Sequence, residues 1–179
     1  MLCCTKRYVD AFMWKKIEER FAGLPVQRAI ARKMAEYGLS VSEDGRISCG
    51  SVEIKENSLA KSVGSDRRAV RETVKTIMRD KYLKSLFGSI KPAGALLKEV
   101  AHLLNFGVVE IEGDAKKAGI ISDATALLSK NRISIRQIYA DDPEMIENPK
   151  LTIIAERKIP GTLLNALLKI RGVRKVSVY

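Results

Sequence analysis

The chain has 179 residues, 46% of them apolar and 30% charged, and carries a formal net charge of +11. That balance excludes a disordered chain, and no apolar run approaches the roughly 20 residues that a membrane span requires. The N-terminal stretch lacks the unbroken apolar segment and small-residue cleavage site of a secretory signal, so the expectation is a cytoplasmic protein with no membrane partner.

In chain order, Trp14, Ile17, Phe21 and Leu24 fall on one stripe and predict a first helix. Pro25 suits the first turn of a second, whose stripe is Val26, Ile30, Met34 and Tyr37 and which Gly38 can end. The turn dipeptides Asp44-Gly45 and Gly50-Ser51 around ISC and VEI predict a short β-hairpin, either a wing-like ribbon or a connector. SLAKSVGSDRRAVRETV then reads as helix, tight turn, helix. Leu59, Ala60 and Val63 recur at helical spacing, Gly64 interrupts, Ser65 and Asp66 offer caps, and Val70, Val74, Ile77 and Met78 resume the period. Tyr82, Leu83, Leu86 and Phe87 predict another short helix, which Gly88, Lys91 and Pro92 break.

Charge is concentrated in this half: residues 1–91 hold 19 basic against 11 acidic side chains, and 58–91 alone nine against three. Arg67, Arg71 and Lys75, at i, i+4 and i+8, form one stripe with Arg68 beside it, placed to meet phosphates and base edges of duplex DNA. The competing reading is a solvated helix face, for which Glu72 and Asp80 supply compensating charge.

AGALLKEVAHLLNFG, with Leu96, Leu97, Val100, Leu103 and Leu104 at helical spacing, predicts a connecting helix within 92–107 that couples the halves. From Val108 the order is βαββαβ: VVEIE, a helix burying Ile120, Ile121, Ala124, Leu127 and Leu128, ISIRQIYAD, LTIIAERK, a helix burying Leu163, Leu164, Leu167 and Leu168, and VRKVSVY. Gly119 and Gly161 open the two helices 42 residues apart, and ISI answers VSV, so the half is a two-fold repeat of the split βαβ type. The fold class is therefore α+β. A mainly helical helix-turn-helix domain with a short β-hairpin occupies 1–91, the connecting helix 92–107, and a ferredoxin-like βαββαβ domain 108–179. Ile138, opposite Ile133 and Ile135, and Ile154, opposite Leu151, Ile153 and Ala155, leave part of the outer sheet face apolar. A second copy would cover it in a homodimer or higher homo-oligomer, unless the N-terminal helices do.

Little suggests catalysis. Cys3, Cys4 and Cys49 fit no disulfide or metal spacing, His102 has no nucleophile near it in sequence, and Asp141, Asp142, Glu144 and Glu147 sit in a turn-like segment. The expectation is a protein that is not an enzyme and needs neither metal nor cofactor. A ligand site is expected where the helix at Gly119 presents unpaired N–H groups and a positive dipole end to a carboxylate, with Asp114 or Asp141 to accept an ammonium group.

EIEGDAKKAGIISDATALLSKNRISIRQI resembles the ACT domain, a ligand-binding regulatory module attached to many amino-acid-metabolism enzymes and regulators, and the resemblance covers Val108 to Tyr179. Gly119-Ile120-Ile121 opens the helix and Lys130-Asn131-Arg132 leads into Ile133-Ser134-Ile135. Ala118 stands where that family usually has proline, and Asp114 lies two residues further from Gly119 than is common. The chain as a whole looks like the archaeal predicted regulators of amino-acid metabolism that contain an ACT domain, whose Gln, Asp-Asp-Pro and Asn-Pro elements match Gln137, Asp141, Asp142, Pro143, Asn148 and Pro149. The resemblance implies a transcriptional regulator sensing an amino acid, with Ala118, Gly119, Ile120, Ile121 and Gln137 beside the effector. The alternatives are a dimerisation or protein- or RNA-binding module, or a regulatory subunit of a biosynthetic enzyme.

Overall fold

The computed structural model describes residues 13–179, so the expectations for Cys3 and Cys4 lie outside the described residues. The chain divides between Gly94 and Ala95 into two compact units.

The first unit holds α1 (Met13–Arg20), α2 (Pro25–Glu36), β1 (Leu39–Val41), β2 (Ile47–Cys49), β3 (Val52–Glu53), α3 (Glu56–Ser62), α4 (Arg67–Arg79) and α5 (Lys81–Ser89). Trp14, Ile17, Phe21, Ile30, Met34, Val70, Ile77, Leu83 and Phe87 are buried, and α4 packs against α2, α3 and α5. Three stripe positions fall outside the core. Leu24, Val26 and Tyr37 are exposed, because α1 stops at Arg20 and leaves Leu24 as the cap of α2, while Tyr37 lies beyond the last turn of α2.

The expected hairpin is β2 with β3, and β1 adds a strand that the sequence did not announce, pairing Leu39 with Cys49 and Val41 with Ile47. The helix-to-helix turn forms as its residues dictate. Gly64, at φ 65°, sits past the end of α3, the Ser65 N–H donates to Ala60 O over 2.9 Å and the Gly64 N–H to Lys61 O over 3.2 Å, satisfying the last carbonyls of α3. Asp66 then caps α4 by accepting from the Ala69 N–H at 2.8 Å.

The second unit is a four-stranded antiparallel sheet with two helices. A 3-10 helix (Lys98–Leu104) precedes β4 (Gly107–Gly113), α6 (Ile120–Lys130), β5 (Ile135–Ala140), β6 (Lys150–Ala155), α7 (Gly161–Leu168) and β7 (Val173–Val178). The strand order is β5-β6-β4-β7, and all three pairings are antiparallel. Val109, Ile111 and Ile153 pack with Ile120, Ala124 and Leu128 of α6 and Leu163 and Leu167 of α7. Ile121 and Leu168 are exposed, narrowing each helical stripe by the residue that turns away from the sheet.

Two expectations are corrected here. The connecting α-helix within 92–107 is absent, and only the 3-10 turn Lys98–Leu104 forms. The Gln137 side chain holds the segment before it: its Nε2 donates to Ala95 O at 2.9 Å, and its Oε1 accepts from the Leu97 N–H at 3.0 Å. These bonds take backbone groups that an α-helix would have used. The outer sheet face, in turn, is not an open apolar surface. Ile154 is fully buried in a small cluster with Val108 and Ala101, against Leu97 and Phe106, so the chain's own 3-10 segment covers it. A bulge between Ile135 and Gln137 then brings Ile138 opposite Ile153, on the helix-covered side. Elsewhere the outer face carries ion pairs, Glu112 with Lys150 at 3.5 Å and with Lys175 at 3.1 Å, beside the exposed Tyr139 in register with Thr152.

Candidate functional site

Two places in the structure assemble chemistry, one in each unit. In the first, burial of Val70, Thr73, Val74 and Ile77 turns the opposite side of α4 outward, and Arg67, Arg68, Arg71 and Lys75 are all exposed. The stripe is not bare. Arg67 Nε and Arg71 Nε both donate to the carboxylate of Glu56, the first residue of α3, the latter at 2.9 Å to Oε2 and 3.1 Å to Oε1. The hydrogen bond from Arg67, with help from Arg71, holds the Glu56 carboxyl below its ordinary range. Lys75 Nζ bonds Glu72 at 2.9 Å, lowering the Glu72 carboxyl. Asp80, read from sequence as a counter-charge to the stripe, instead caps α5 at Leu83 and pairs with Arg20 at 3.1 Å.

Beside Glu56 lies a cleft of about 340 Å³ walled by Gly45, Arg46, Lys55, Asn57 and Arg67, among others. Arg46, which pairs with Asp44 at 2.6 Å, and Lys55 thus add basic groups beside the stripe, in a cleft that Glu53 and Glu56 also wall. Sequence reasoning missed both, although Arg46 follows the Asp44-Gly45 turn and Lys55 is the residue before α3; their distance from the stripe along the chain hid the connection.

In the second unit a cleft of about 430 Å³ opens at the start of α6. Asp114, Ala118, Gly119, Ile120, Ile121 and Asp141 all line it, so six of the residues expected at a ligand site converge, and Ile111, Leu151, Pro143 and Pro149 add apolar walls that were not among the expected site residues. Gln137 does not belong to it, being occupied by Ala95 and Leu97. Gly119, at φ 110°, is the cap residue of α6, and among the described residues no side chain bonds the helix's first N–H groups. Asp114 Oδ1 accepts from the Lys116 N–H at 3.2 Å and Asp141 Oδ2 from the Lys150 N–H at 3.0 Å, leaving each carboxylate a second oxygen. The arrangement can take a zwitterion of amino-acid size: a carboxylate on the helix N-terminus, an ammonium group on an aspartate and an apolar side chain on the isoleucine and proline walls. Lys116 and Lys117 also line it, so the rim carries both signs of charge.

The chain is thus a mixed α+β protein with a basic helical surface in one unit and an antiparallel sheet with a cleft at a helix start in the other. Among solved structures, it is similar to the ACT domain from the GTP pyrophosphokinase of Chlorobium tepidum, at 23% identity and TM-score 0.34 over 41% of this chain and 96% of that one. It is also similar to a glycine-to-threonine mutant of Rv3291c, at 19% identity and TM-score 0.27 over 87% of this chain and 90% of that one. No protein-family model and no curated protein matches the chain.

Proposed function

We propose that the chain is an amino-acid-responsive, DNA-binding transcriptional regulator of amino-acid metabolism, with the first unit as a helix-turn-helix DNA-binding domain and the second as an ACT-like effector domain. The observation that carries the reading is the α6 cleft, where an uncapped helix N-terminus and two aspartates with spare oxygens surround a volume of about 430 Å³. The exposed stripe of α4, extended by Arg46 and Lys55, supports the DNA half. The sequence resemblance of residues 108–179 to ACT domains agrees with both effector binding and dimerisation. Support for a homodimer comes from β5 and β7, each paired on one side only, rather than from an apolar sheet face; two copies would offer two basic helices to two half-sites.

A thermal-shift screen of the twenty amino acids tests the effector half, and one of them is expected to raise Tm in proportion to the logarithm of its concentration. Asp141→Asn keeps an acceptor for the Lys150 N–H but removes the charge, and should weaken that ligand by roughly tenfold. No shift with any of the twenty would leave the second unit as a dimerisation module.

For the DNA half, Arg67→Ala with Arg71→Ala should lower the slope of log affinity against log salt by about two units, close to one per lost phosphate contact, without unfolding the unit. Preference for structured RNA in a competition gel would instead favour an RNA-binding module. Co-purification with a biosynthetic enzyme, without nucleic-acid binding at low salt, would favour a regulatory subunit.

A further inference from the structure

A carboxylate in the middle of a basic surface needs a reason, because an exposed ion pair contributes little to stability. The Glu56 side chain is 30% exposed against 56% for Arg67 and 50% for Arg71, so the acid lies beneath the two guanidinium groups rather than over them. Each arginine spends only its Nε on Glu56. Among the described residues the Nη groups of both have no hydrogen-bond partner, and those are the donors that match a phosphate edge. The two arginines lie one turn apart on α4 and converge on one carboxylate from a different helix, so their planes are fixed from below while their ends stay open.

We propose that Glu56 is a positioning residue: it locks Arg67 and Arg71 through their Nε atoms so that their paired Nη groups form a preformed cradle for backbone phosphates of DNA. This rests on the DNA-binding reading of the α4 stripe and adds to it a role for an acidic residue that charge alone would count against binding. Two opposing effects set its sign. A negative charge near the phosphates repels them, but across a solvent-exposed surface that repulsion is weak and salt-screened. Two long side chains ordered before binding, on the other hand, spare the rotamer entropy that each would lose on contact. The second effect is the larger, so removing the acid should weaken binding even though it raises the net charge.

The test compares wild type, Glu56→Ala and Glu56→Gln on one duplex over a salt series, with Trp14 fluorescence to verify folding. Glu56→Ala should bind roughly tenfold more weakly at the lowest salt with no fall in the salt slope, and Glu56→Gln, which retains an acceptor, should recover part of the loss. The Arg67 and Arg71 Nε–Hε NMR signals of the free protein should be ordered in wild type and averaged in Glu56→Ala. Unchanged or tighter binding by Glu56→Ala, with wild type binding normally, overturns the positioning role and leaves the DNA reading standing, Glu56 then being a counter-charge only. A wild-type chain that binds no duplex at low salt overturns the DNA reading, and the phosphate cradle with it.

Discussion

Gly38→Ala is expected to destabilise the first unit by about 3 kcal/mol or more, enough to consume a large part of an ordinary domain's stability. Gly38 is buried and sits at φ 61°, a region that costs an L-residue about 1 kcal/mol. A Cβ there would also stand 2.6 Å from Lys91 C, Lys91 O and Pro92 N, main-chain atoms that cannot swing aside as the end of a side chain would. Gly50→Ala separates the two contributions. Its φ is 59° but nothing lies within 4 Å of an added Cβ, so only the conformational cost of about 1 kcal/mol should appear. Urea unfolding followed by Trp14, the single tryptophan and a buried residue of this unit, should show a much larger fall in midpoint for Gly38→Ala than for Gly50→Ala. Equal falls would mean that the Lys91–Pro92 segment gives way at little cost.

Gly38 also illustrates what sequence can and cannot disclose. Its place after an apolar stripe identifies it as a helix terminator, but the approach of residues 91–92 belongs to tertiary packing. The same division runs through the fold. The βαββαβ order is legible because Ile120, Ala124 and Leu128, like Leu163 and Leu167, repeat at the helical period, and because β4 and β6 are short stretches rich in β-branched apolar residues. The bulge at Arg136 leaves no mark in the hydrophobic pattern, since isoleucines at 133, 135 and 138 fit a regular strand equally well; the shift that places Ile138 opposite Ile153 comes from pairing with β6. The segment Ala95–Leu104 has an α-helical pattern that tertiary bonds override: Gln137 claims its first backbone groups, and Leu97, Ala101 and Phe106 are drawn onto Ile154.

At the candidate sites, neighbours in sequence are legible as a group, and partners joined only by tertiary contact are not. Gly119 opening a helix points to the cleft from sequence alone, and Asp114 and Asp141 converge on it. Gln137 carried the same family signal and proved to tie down the 3-10 segment. Glu56, a residue of α3 facing arginines 11 and 15 positions away, could be recognised only once α3 and α4 were seen side by side.

The largest pH effect is expected on the outer face of the sheet. Glu110, on the central strand β4, has a side chain only 6% exposed, yet Lys98 Nζ of the 3-10 helix approaches it at 2.8 Å and Lys150 Nζ at 4.0 Å. Tyr179 Oη donates to it at 3.0 Å. Burial alone would raise the Glu110 carboxyl, but the hydrogen bonds from Lys98 and Tyr179 outweigh it and hold the group below its ordinary 4.5. The hydrogen bond to Glu110 raises Lys98 above its ordinary 10.5. The stability contributed by Glu110 is therefore complete above about pH 4.5 and is lost as pH falls through its lower folded value, whereas that of Lys98 is complete below pH 10.5 and lost only in strong alkali. Lys98→Met, which fills the space without the charge, should cost about 2 kcal/mol at pH 7 by taking a charged hydrogen bond from a buried carboxylate. Amide-exchange protection of β4 and β6, corrected for intrinsic rates, reads the effect in the unit concerned. The gap between wild type and Lys98→Met should be widest near neutrality and close as pH drops below about 4.5, because a protonated Glu110 no longer distinguishes a lysine from a methionine as strongly. A gap that stays constant down to pH 3 would mean that Lys98 acts through packing of its alkyl stem, and that the charge pair contributes nothing to holding the 3-10 segment on the sheet.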